Sequence, residues 1–285
     1  MKKLLITGAE GFTGQHVMRA ASDTGYEIYP LHADLTDAQA IATEITAIAP
    51  THVIHLAAIS AVTHADELAI YRVNLFGTLH LLDALANLPK APEKILLASS
   101  ANVYGNTDTN PITESICANP VSHYAMSKLA MEHMATTYCA KLPIIFTRPF
   151  NYTGVGHDER FVIPKIIRHF AHKATDIELG NIDVEREFND VRTVCDIYLK
   201  LLEHGQTGEK YNICSGNPIK LREVLSILEE LTEHYPNITI NPAFVRKNEI
   251  QTLCGSSAKL EATIGKIKHY SLRETLTWML ESSQP

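Results

Sequence analysis

The chain has 285 residues, of which 45% are hydrophobic and 20% are charged, so it can bury a core as one large unit or as two closely packed domains. Its net charge of -7 argues against broad binding to nucleic acids or anionic membranes, which favour basic surfaces. The five cysteines lie far apart with no Cys-x-x-Cys pair, so neither a metal site nor a disulfide framework is expected. No apolar run is long enough to cross a bilayer, and we expect a soluble, cytoplasmic protein.

Short β-rich runs alternate with helical patterns through the first half of the sequence. The strands are expected at 4–7, 27–32, 51–56, 94–98 and 142–147, and the helices at 13–21, 75–86 and 127–140. Such alternation predicts an α/β fold with a Rossmann-like, doubly wound parallel sheet. Beyond residue 151 the rhythm changes, and helices are expected at 161–171 and 220–233.

The change of rhythm divides the chain into two expected domains. A dinucleotide-binding domain takes residues 1–155, with 187–214 returning to it, and a smaller C-terminal α/β substrate-binding domain takes 156–186 and 215–285. No Ser/Gly-rich linker separates the two, so we expect close packing, with segments that cross between them. The smaller domain should cover the carboxyl edge of the sheet.

Three glycines follow the first expected strand at the spacing Gly8-x-x-Gly11-x-x-Gly14, with Phe12 among them. A turn without side chains between a strand and a helix lets backbone N–H groups and the helix N-terminus approach a pyrophosphate. The pattern therefore predicts a dinucleotide cofactor. A tight turn without a ligand is the alternative, but such a turn seldom needs three glycines.

The end of the second strand departs from the usual NAD pattern. Folds of this class commonly place an acidic residue there for the ribose 2′-hydroxyl, whereas the run 27–32 ends in His32. NAD is therefore not favoured over NADP, and His32 either lies near a 2′-phosphate or is an ordinary surface residue. Asp34 and Leu35 come next and are expected toward the adenine.

Tyr124 and Lys128 are four residues apart, which places them on one face of a helix. A tyrosine has an ordinary pKa of about 10, and a nearby ammonium favours tyrosinate and lowers that value. Such a pair can serve as the proton donor in carbonyl reduction. The spacing alone also fits an ordinary exposed helix pair, so its context decides between the two interpretations.

The context is a series of motifs in order along the chain. They are Gly8-x-x-Gly11-x-x-Gly14, His55-Leu56-Ala57-Ala58, Asn74-Leu75-Phe76-Gly77-Thr78, Ser99-Ser100-Ala101-Asn102-Val103-Tyr104-Gly105, Tyr124-x-x-x-Lys128 and Arg148-Pro149-Phe150-Asn151. With them the chain resembles the extended short-chain dehydrogenase/reductases of the NAD-dependent epimerase/dehydratase family, which act on nucleotide sugars. The resemblance continues through 186–192 and 211–216, and so covers nearly the whole chain.

That resemblance implies roles for individual residues. Tyr124 would be the catalytic acid/base, Lys128 would hold the nicotinamide ribose and lower the tyrosine pKa, and Ser100 would hydrogen-bond the reacting oxygen. The cofactor, NADP(H) or NAD(H), would further be held by Gly8, Gly11, Phe12, Gly14, Asp34, Leu35, Leu56, Ala57, Ala58 and Asn74. Asn74 also suits a bracing role, and Arg148 a structural role beneath Asn151.

Two late segments narrow the substrate. Residues 180–188 and 246–255 resemble the G-N-(L/I)-D-x-x-R-D and R-P-x-E-(V/I)-x-x-L-x-G patterns of the family members that bind GDP-sugars, the GDP-mannose dehydratases and GDP-4-keto-6-deoxy-D-mannose reductases. The match implies that Arg186 and Arg246 pair with the diphosphate and that Glu249 accepts from a ribose hydroxyl or the guanine. The other substrate-binding residues expected from the resemblance are Ser100, Asn102, Asn151, Val162, Lys165 and Asn181.

The resemblance leaves several reactions, and single residues separate them. Dehydratases of the family use a carboxylate where this chain has Asn102, and an amide is no base at neutral pH. Enzymes that epimerise C3 and C5 need a cysteine and a histidine, whereas 99–104 holds no cysteine and Phe161 stands at the histidine position. Reduction without epimerisation needs only Ser100, Tyr124, Lys128 and the cofactor.

We therefore expect an NAD(P)H-dependent reductase of the C4 ketone of GDP-4-keto-6-deoxy-D-mannose, which yields GDP-D-rhamnose or GDP-6-deoxy-D-talose. A nucleotide-sugar 4-epimerase would use the same residues and is the alternative. A non-catalytic dinucleotide sensor is another, although such proteins commonly lose the tyrosine or the lysine. The family also implies a homodimer through the helices near 75–86 and 124–140, and the net charge and the lack of a long apolar run predict no nucleic-acid or membrane partner.

Overall fold

Six parallel strands form the central sheet of the computed structural model, which describes residues 2–60, 66–245 and 251–283. The strands of the described chain are β1 (Lys2–Thr7), β2 (Tyr26–Pro30), β3 (His52–His55), β4 (Lys94–Ala98), β5 (Ile144–Pro149), β6 (Tyr152–Thr153), β7 (Asp176–Leu179), β8 (Glu185–Arg186), β9 (Asn189–Asp190), β10 (Lys210–Ile213), β11 (Ile219–Lys220), β12 (Asn237–Ile240) and β13 (Thr252–Leu253). The helices are α1 (Phe12–Ala21), α2 (Ala38–Ile48), α3 (Glu67–Tyr71), α4 (Thr78–Ala86), α5 (His123–Thr136), α6 (Val162–Ala171), α7 (Val191–His204), α8 (Leu221–Thr232), α9 (Ala258–Ile264) and α10 (Leu272–Ser282).

The strands of the central sheet lie in the order β2-β1-β3-β4-β5-β10, and all neighbouring pairs are parallel. The chain runs outward from β1 to β2 and then returns past β1 to β3, so its winding direction reverses between β1 and β3. At the carboxyl edge this reversal places Thr7 beside His55. Open α/β sheets bind their ligands in the crevice at such a reversal.

Helices cover both faces of this sheet, which is therefore doubly wound, as the sequence predicted. On one face, α1, α7 and α9 bury Val17, Val194 and Leu260 in a shared apolar cluster. On the other face, α2 and α4 bury Ile45 and Leu85 in a second cluster, to which α5 also contributes. Strands covered on both faces need apolar residues throughout, which explains the continuous apolar runs that marked them in the sequence.

The remaining elements form a smaller set of short sheets and helices. Helices α6, α8 and α10 pack around Ile166, Leu228 and Leu276 in a third cluster. Strand β7 pairs with β12, and β8 pairs with β11 and β13. Strand β10 lies in the central sheet, and α9 packs on it even though the sequence assigned 215–285 to the substrate domain. The domain limits themselves stay a prediction.

Helix α5 begins at His123, four residues before the helical pattern at 127–140, and it includes Tyr124, as the Tyr124/Lys128 spacing predicted. The Ser122 hydroxyl accepts a hydrogen bond of 3.2 Å from the Ala125 N–H and so caps the helix at His123. Tyr124 therefore lies in the first turn of the helix, where apolar periodicity alone gave no signal. The helix expected at 75–86 is α4, and it is preceded by a π-helical turn over Arg72–Gly77.

Helix α2 was absent from the sequence prediction. Asp37 caps it, because its Oδ1 accepts from the Gln39 and Ala40 N–H groups at 3.0 Å each. Within the described ranges, no helix combines the length and the apolar character that a bilayer crossing requires.

Candidate active site

A cavity of about 780 Å³ opens where β1, β3, β4 and β5 end. The predicted site residues that line it are Gly8, Gly11, Phe12, Gly14, Leu56, Ala58, Ser100, Asn102, Tyr124, Lys128, Asn151 and Arg186. The predicted site residues that are described but do not line the cavity are Asp34, Leu35, Ala57, Asn74, Val162, Lys165 and Asn181. The predicted diphosphate residue Arg246 and the predicted nucleoside residue Glu249 lie outside the described residues.

The glycine turn forms one wall of this cavity and approaches its neighbours more closely than side chains permit. Gly8 has φ +69°, and a Cβ there would lie 2.8 Å from the Ala57 nitrogen. A Cβ on Gly14 would lie 2.2 Å from the Gly8 carbonyl oxygen. Helix α1 starts directly after Gly11 with no side-chain cap, so its first N–H groups are available to an anion. The turn therefore fits the pyrophosphate of a dinucleotide.

The residues expected near the adenine have local partners. Asp34 accepts from both the N–H and the hydroxyl of Thr36, each at 2.8 Å. Leu35 is buried against Gly77, and its carbonyl oxygen bonds to His80 Nδ1 at 2.9 Å. Leu35 is thus a core residue of the second apolar cluster, and the roles of both residues toward adenine stay predictions.

Tyr124, Lys128 and Ser100 meet where β4 ends. Lys128 is buried, and its Nζ donates a hydrogen bond of 2.7 Å to the carbonyl oxygen of Ala98, the last residue of β4. Ser100 follows that strand by two residues, and its hydroxyl accepts a hydrogen bond of 3.2 Å from the Asn102 N–H. The arrangement brings a phenol, a hydroxyl and an ammonium to one side of the cavity.

Burial changes the acidity of two of these groups. The pKa of Tyr124 is raised above its ordinary value because burial disfavours tyrosinate, and the nearby Ser100 side chain offsets this only in part. The expected lowering by Lys128 is therefore not what the structure shows, since its ammonium is directed to the Ala98 carbonyl oxygen. Burial lowers the pKa of Lys128 itself to about 8, although Glu132 opposes the change. Tyr124 thus stays protonated at neutral pH, the state that a proton donor requires.

Asn74 braces the segment after β3 against α5. Its side-chain oxygen accepts from the Ile59 N–H at 2.8 Å, and its nitrogen donates to the Ile59 oxygen at 3.2 Å and to the Ser127 hydroxyl at 3.0 Å. Ser127 in turn donates to the Tyr124 carbonyl oxygen at 2.7 Å. The bracing role is visible in these contacts, and a direct contact with the cofactor stays a prediction.

His55 is the centre of a buried hydrogen-bond chain to which the sequence gave no role. Thr7 Oγ1 lies 2.7 Å from its Nδ1, and Thr78 Oγ1 lies 2.8 Å from its Nε2. Thr78 donates to the Asn74 carbonyl oxygen, so His55 must donate through Nε2 and accept at Nδ1. Burial, together with the Lys128 charge, lowers the pKa of His55 to about 3, so the ring is neutral. The chain of bonds joins the ends of β1 and β3 to the start of α4.

Asn151 and Arg186 line the part of the cavity where the substrate is expected. Asn151 lines it, while its own carbonyl oxygen accepts from the Asn189 backbone at 2.9 Å. Arg186 also lines it and donates to the carbonyl oxygens of Glu185 and Gln251 at 2.8 and 3.2 Å. These two residues are where a sugar and a diphosphate were expected.

The other three described residues expected to bind substrate are not among those that line the cavity. Val162 is the first residue of α6 and is exposed. Lys165 donates to the Glu178 carbonyl oxygen at 2.6 Å and lies 4.6 Å from the ring centre of Phe244. Asn181 accepts from the Asp183 N–H at 3.0 Å within a turn. Their contact with substrate stays a prediction.

An aromatic stack over the glycine turn was missed by the sequence analysis. The His157 ring is stacked between Phe12, at 4.4 Å, and Phe161, at 4.3 Å between ring centres. Burial lowers the pKa of His157 to about 4, so the ring is neutral and packs as an aromatic group. Arg160 also lines the cavity and is paired with Asp158 at 2.9 Å. A lone histidine in a loop gives no signal of such stacking.

A family model described as GDP-mannose 4,6 dehydratase matches residues 30–279 of this sequence. The chain belongs to this family. GDP-6-deoxy-D-talose 4-dehydrogenase of Aggregatibacter actinomycetemcomitans is 33% identical over 268 residues, which cover 92% of this chain and 91% of that protein. GDP-6-deoxy-D-mannose reductase of Pseudomonas aeruginosa is 34% identical over 294 residues, which cover 98% and 96%.

Solved structures show how widely the architecture of the family is shared. RMD from Pseudomonas aeruginosa, complexed with NADPH, is 32% identical and has a TM-score of 0.93, covering 100% of this chain and 99% of that chain. UDP-glucose 4-epimerase from Thermus thermophilus, complexed with NAD, is 24% identical and has a TM-score of 0.89, covering 99% and 98%. The second likeness concerns the fold alone, and it confirms the Rossmann-like α/β architecture predicted from the sequence.

Replacing Tyr124 with Phe removes the proposed proton donor and keeps the ring. We expect kcat to fall by about 10²- to 10⁴-fold, because positioned proton transfer contributes that much, while cofactor affinity changes little. Steady-state kinetics and cofactor titration measure the two quantities. Tyr138→Phe is the matched control. Tyr138 lies just beyond the end of α5, and its hydroxyl donates a hydrogen bond to Asp83. Full activity of the Tyr124 variant would refute the role.

The charge of Lys128 should give reduction an upper pH limit. Its pKa of about 8 means that the ammonium is present below that pH and is lost above it, whereas Tyr124 keeps its proton through the same range. We expect kcat/KM for reduction to be level near neutrality and to fall above about pH 8, because kcat/KM reports groups of the free enzyme. Lys128→Arg stays charged, so its residual activity should lack this limb. A wild-type profile that stays level to about pH 9 would contradict the assignment.

Proposed function

We propose that this chain is an NAD(P)H-dependent reductase of the C4 ketone of GDP-4-keto-6-deoxy-D-mannose. The main observation in support is that Ser100, Tyr124 and Lys128 line the same cavity as the glycine turn. The names of the two relatives above support the substrate class, since both describe redox enzymes of GDP-6-deoxyhexoses. The product would be GDP-D-rhamnose or GDP-6-deoxy-D-talose, according to the face of the ketone that is reduced.

The residues of the chain have distinct parts in this reaction. The bound cofactor supplies the hydride, and the ketone is reduced to a secondary alcohol while the dihydronicotinamide is oxidised. Tyr124 donates its proton to the C4 oxygen as negative charge develops there. Ser100 donates a hydrogen bond to the same oxygen, and the Lys128 ammonium stabilises the charge across the site. The glycine turn holds the pyrophosphate, and Arg186 faces the substrate side.

Among the described residues that line the cavity, the bases that dehydration and C3/C5 epimerisation need are missing. Asn102 stands where a dehydratase would have a carboxylate, and its amide does not take up a proton. Among the described cavity-lining residues, Asp158 is the carboxylate, and it is ion-paired with Arg160. The same lining contains no cysteine, and His157 is a weak base stacked between two rings.

The test combines a spectroscopic and a structural readout. Purified protein is mixed with GDP-4-keto-6-deoxy-D-mannose and NADH, or separately NADPH, and loss of the reduced-nicotinamide absorbance is followed. We expect one cofactor to be oxidised per sugar, with product NMR showing C3 and C5 unchanged. Turnover of a different nucleotide sugar, with none of this one, would keep the fold and overturn the substrate.

The same measurement separates the two alternatives. A 4-epimerase uses the same three catalytic groups but consumes no cofactor, because it returns the hydride to the sugar. A dinucleotide sensor would bind cofactor and turn over none of the sugars supplied. Net oxidation of the cofactor is therefore the distinguishing result.

We further propose a cytoplasmic homodimer that forms through α4 and α5. Leu68, Phe76 and Met126 are exposed on α3, on the π-helical turn before α4 and on α5, and these elements pack together. Light scattering should give twice the 31.6 kDa mass of the chain, and Phe76→Glu should shift it toward the monomer. Phe244→Glu, at an equally exposed phenylalanine elsewhere, is the control. A monomeric wild-type protein would contradict the proposal.

A further inference from the structure

The end of β2 holds a carboxylate that the sequence analysis did not place there. Glu44 projects from α2, the helix that the sequence did not predict, and its Oε1 accepts from the His32 N–H at 3.0 Å and contacts His32 Nδ1 at 3.2 Å. Its Oε2 accepts from the Ala33 N–H at 2.7 Å. In dinucleotide folds the end of this strand is where the adenosine ribose binds. A carboxylate therefore lies at the turn that follows β2, where the ribose is expected, although the run 27–32 does not itself end in an acid.

The Glu44 carboxylate occupies the hydrogen-bond donors of this turn that could otherwise bind an anion. Two consecutive backbone N–H groups and an imidazole converge on Glu44, and such a concavity would otherwise accept a phosphate. Partial burial opposes ionisation of Glu44, but the hydrogen bonds from His32 and Ala33 outweigh it and hold its pKa below the usual value. The group is thus charged at neutral pH.

The surrounding sequence adds no positive charge that would attract a phosphate. Residues 30–48 contain Asp34, Asp37 and Glu44 but no lysine or arginine, and His32 is their only basic side chain. His32 is itself directed to Glu44, with its side chain 75% exposed. A 2′-phosphate at this turn would meet the Glu44 carboxylate and be repelled by it, whereas a 2′-hydroxyl can donate a hydrogen bond to it.

We infer that Glu44 makes this protein select NADH over NADPH. The inference rests on the proposed function, in which the cofactor is the hydride source, and it names which cofactor that is. The Pseudomonas aeruginosa relative was solved with NADPH, so the preference follows from the residues at the end of β2 in this chain rather than from the shared fold.

Direct binding tests the inference without any sugar substrate. NADH and NADPH are titrated into the full-length protein, and the dissociation constants are taken from calorimetry or nicotinamide fluorescence. We expect NADH to bind at least about tenfold more tightly. Glu44→Gln removes the charge at nearly the same size, and it should lower the ratio of the two constants about tenfold, mainly through tighter NADPH binding. Glu27→Gln makes the same charge change within β2 and should leave the ratio as it is.

Salt provides a second readout that needs no variant. If carboxylates repel the 2′-phosphate, added salt screens the repulsion and brings the NADPH constant closer to the NADH constant. Equal or tighter binding of NADPH by the wild type would overturn the inference, and so would a Glu44→Gln ratio equal to that of the wild type. Failure to reduce the sugar would refute the proposed function and leave the binding preference standing, so the two outcomes are distinguishable.

Discussion

The hydrogen bond between the buried Lys128 ammonium and the Ala98 carbonyl oxygen is the interaction on which the site depends. Removing an ammonium from water is unfavourable, which is why its pKa falls to about 8, and the carbonyl dipole and the nearby Glu132 charge compensate in part. The bond fixes α5 to the end of β4. Because Tyr124 lies one turn earlier on the same helix, it is held beside Ser100, which follows the same strand.

Two buried carboxylates support the walls around this centre. Both carboxylate oxygens of Glu132 on α5 accept hydrogen bonds from Arg148 on β5, at 2.9 and 2.6 Å, so this ion pair joins the two elements. Glu187 accepts from the Ser215 and Gly255 N–H groups at 2.6 and 2.7 Å, which joins three chain segments beside Arg186. Such charges are stable inside a protein only where hydrogen bonds satisfy them, and removing one partner commonly costs about 3–5 kcal/mol. These hydrogen bonds therefore join the elements that surround the site.

The sequence predicted the parallel sheet and the central residues of the site, because each has a local signal. Apolar runs mark buried strands, and Gly8 and Tyr124 belong to short motifs with fixed spacing. The pKa of Tyr124 could not be predicted from spacing, since its direction depends on burial and on where Lys128 points. Glu44 contacts His32 and Ala33, which are 11 or 12 residues away in sequence, and His157 lies in an irregular loop and stacks on the distant Phe12. Contacts of this kind leave no periodic pattern.

The fate of a deuterium label tests the hydride-transfer account most directly. NADH carrying deuterium at both C4 positions of the dihydronicotinamide is supplied with GDP-4-keto-6-deoxy-D-mannose in ordinary water, and the reaction is repeated with unlabelled NADH in heavy water. The account predicts one deuterium at C4 of the product hexose in the first experiment and none at C3 or C5 in the second. A product without label at C4, or with solvent deuterium introduced by the enzyme at C3 or C5, would contradict it.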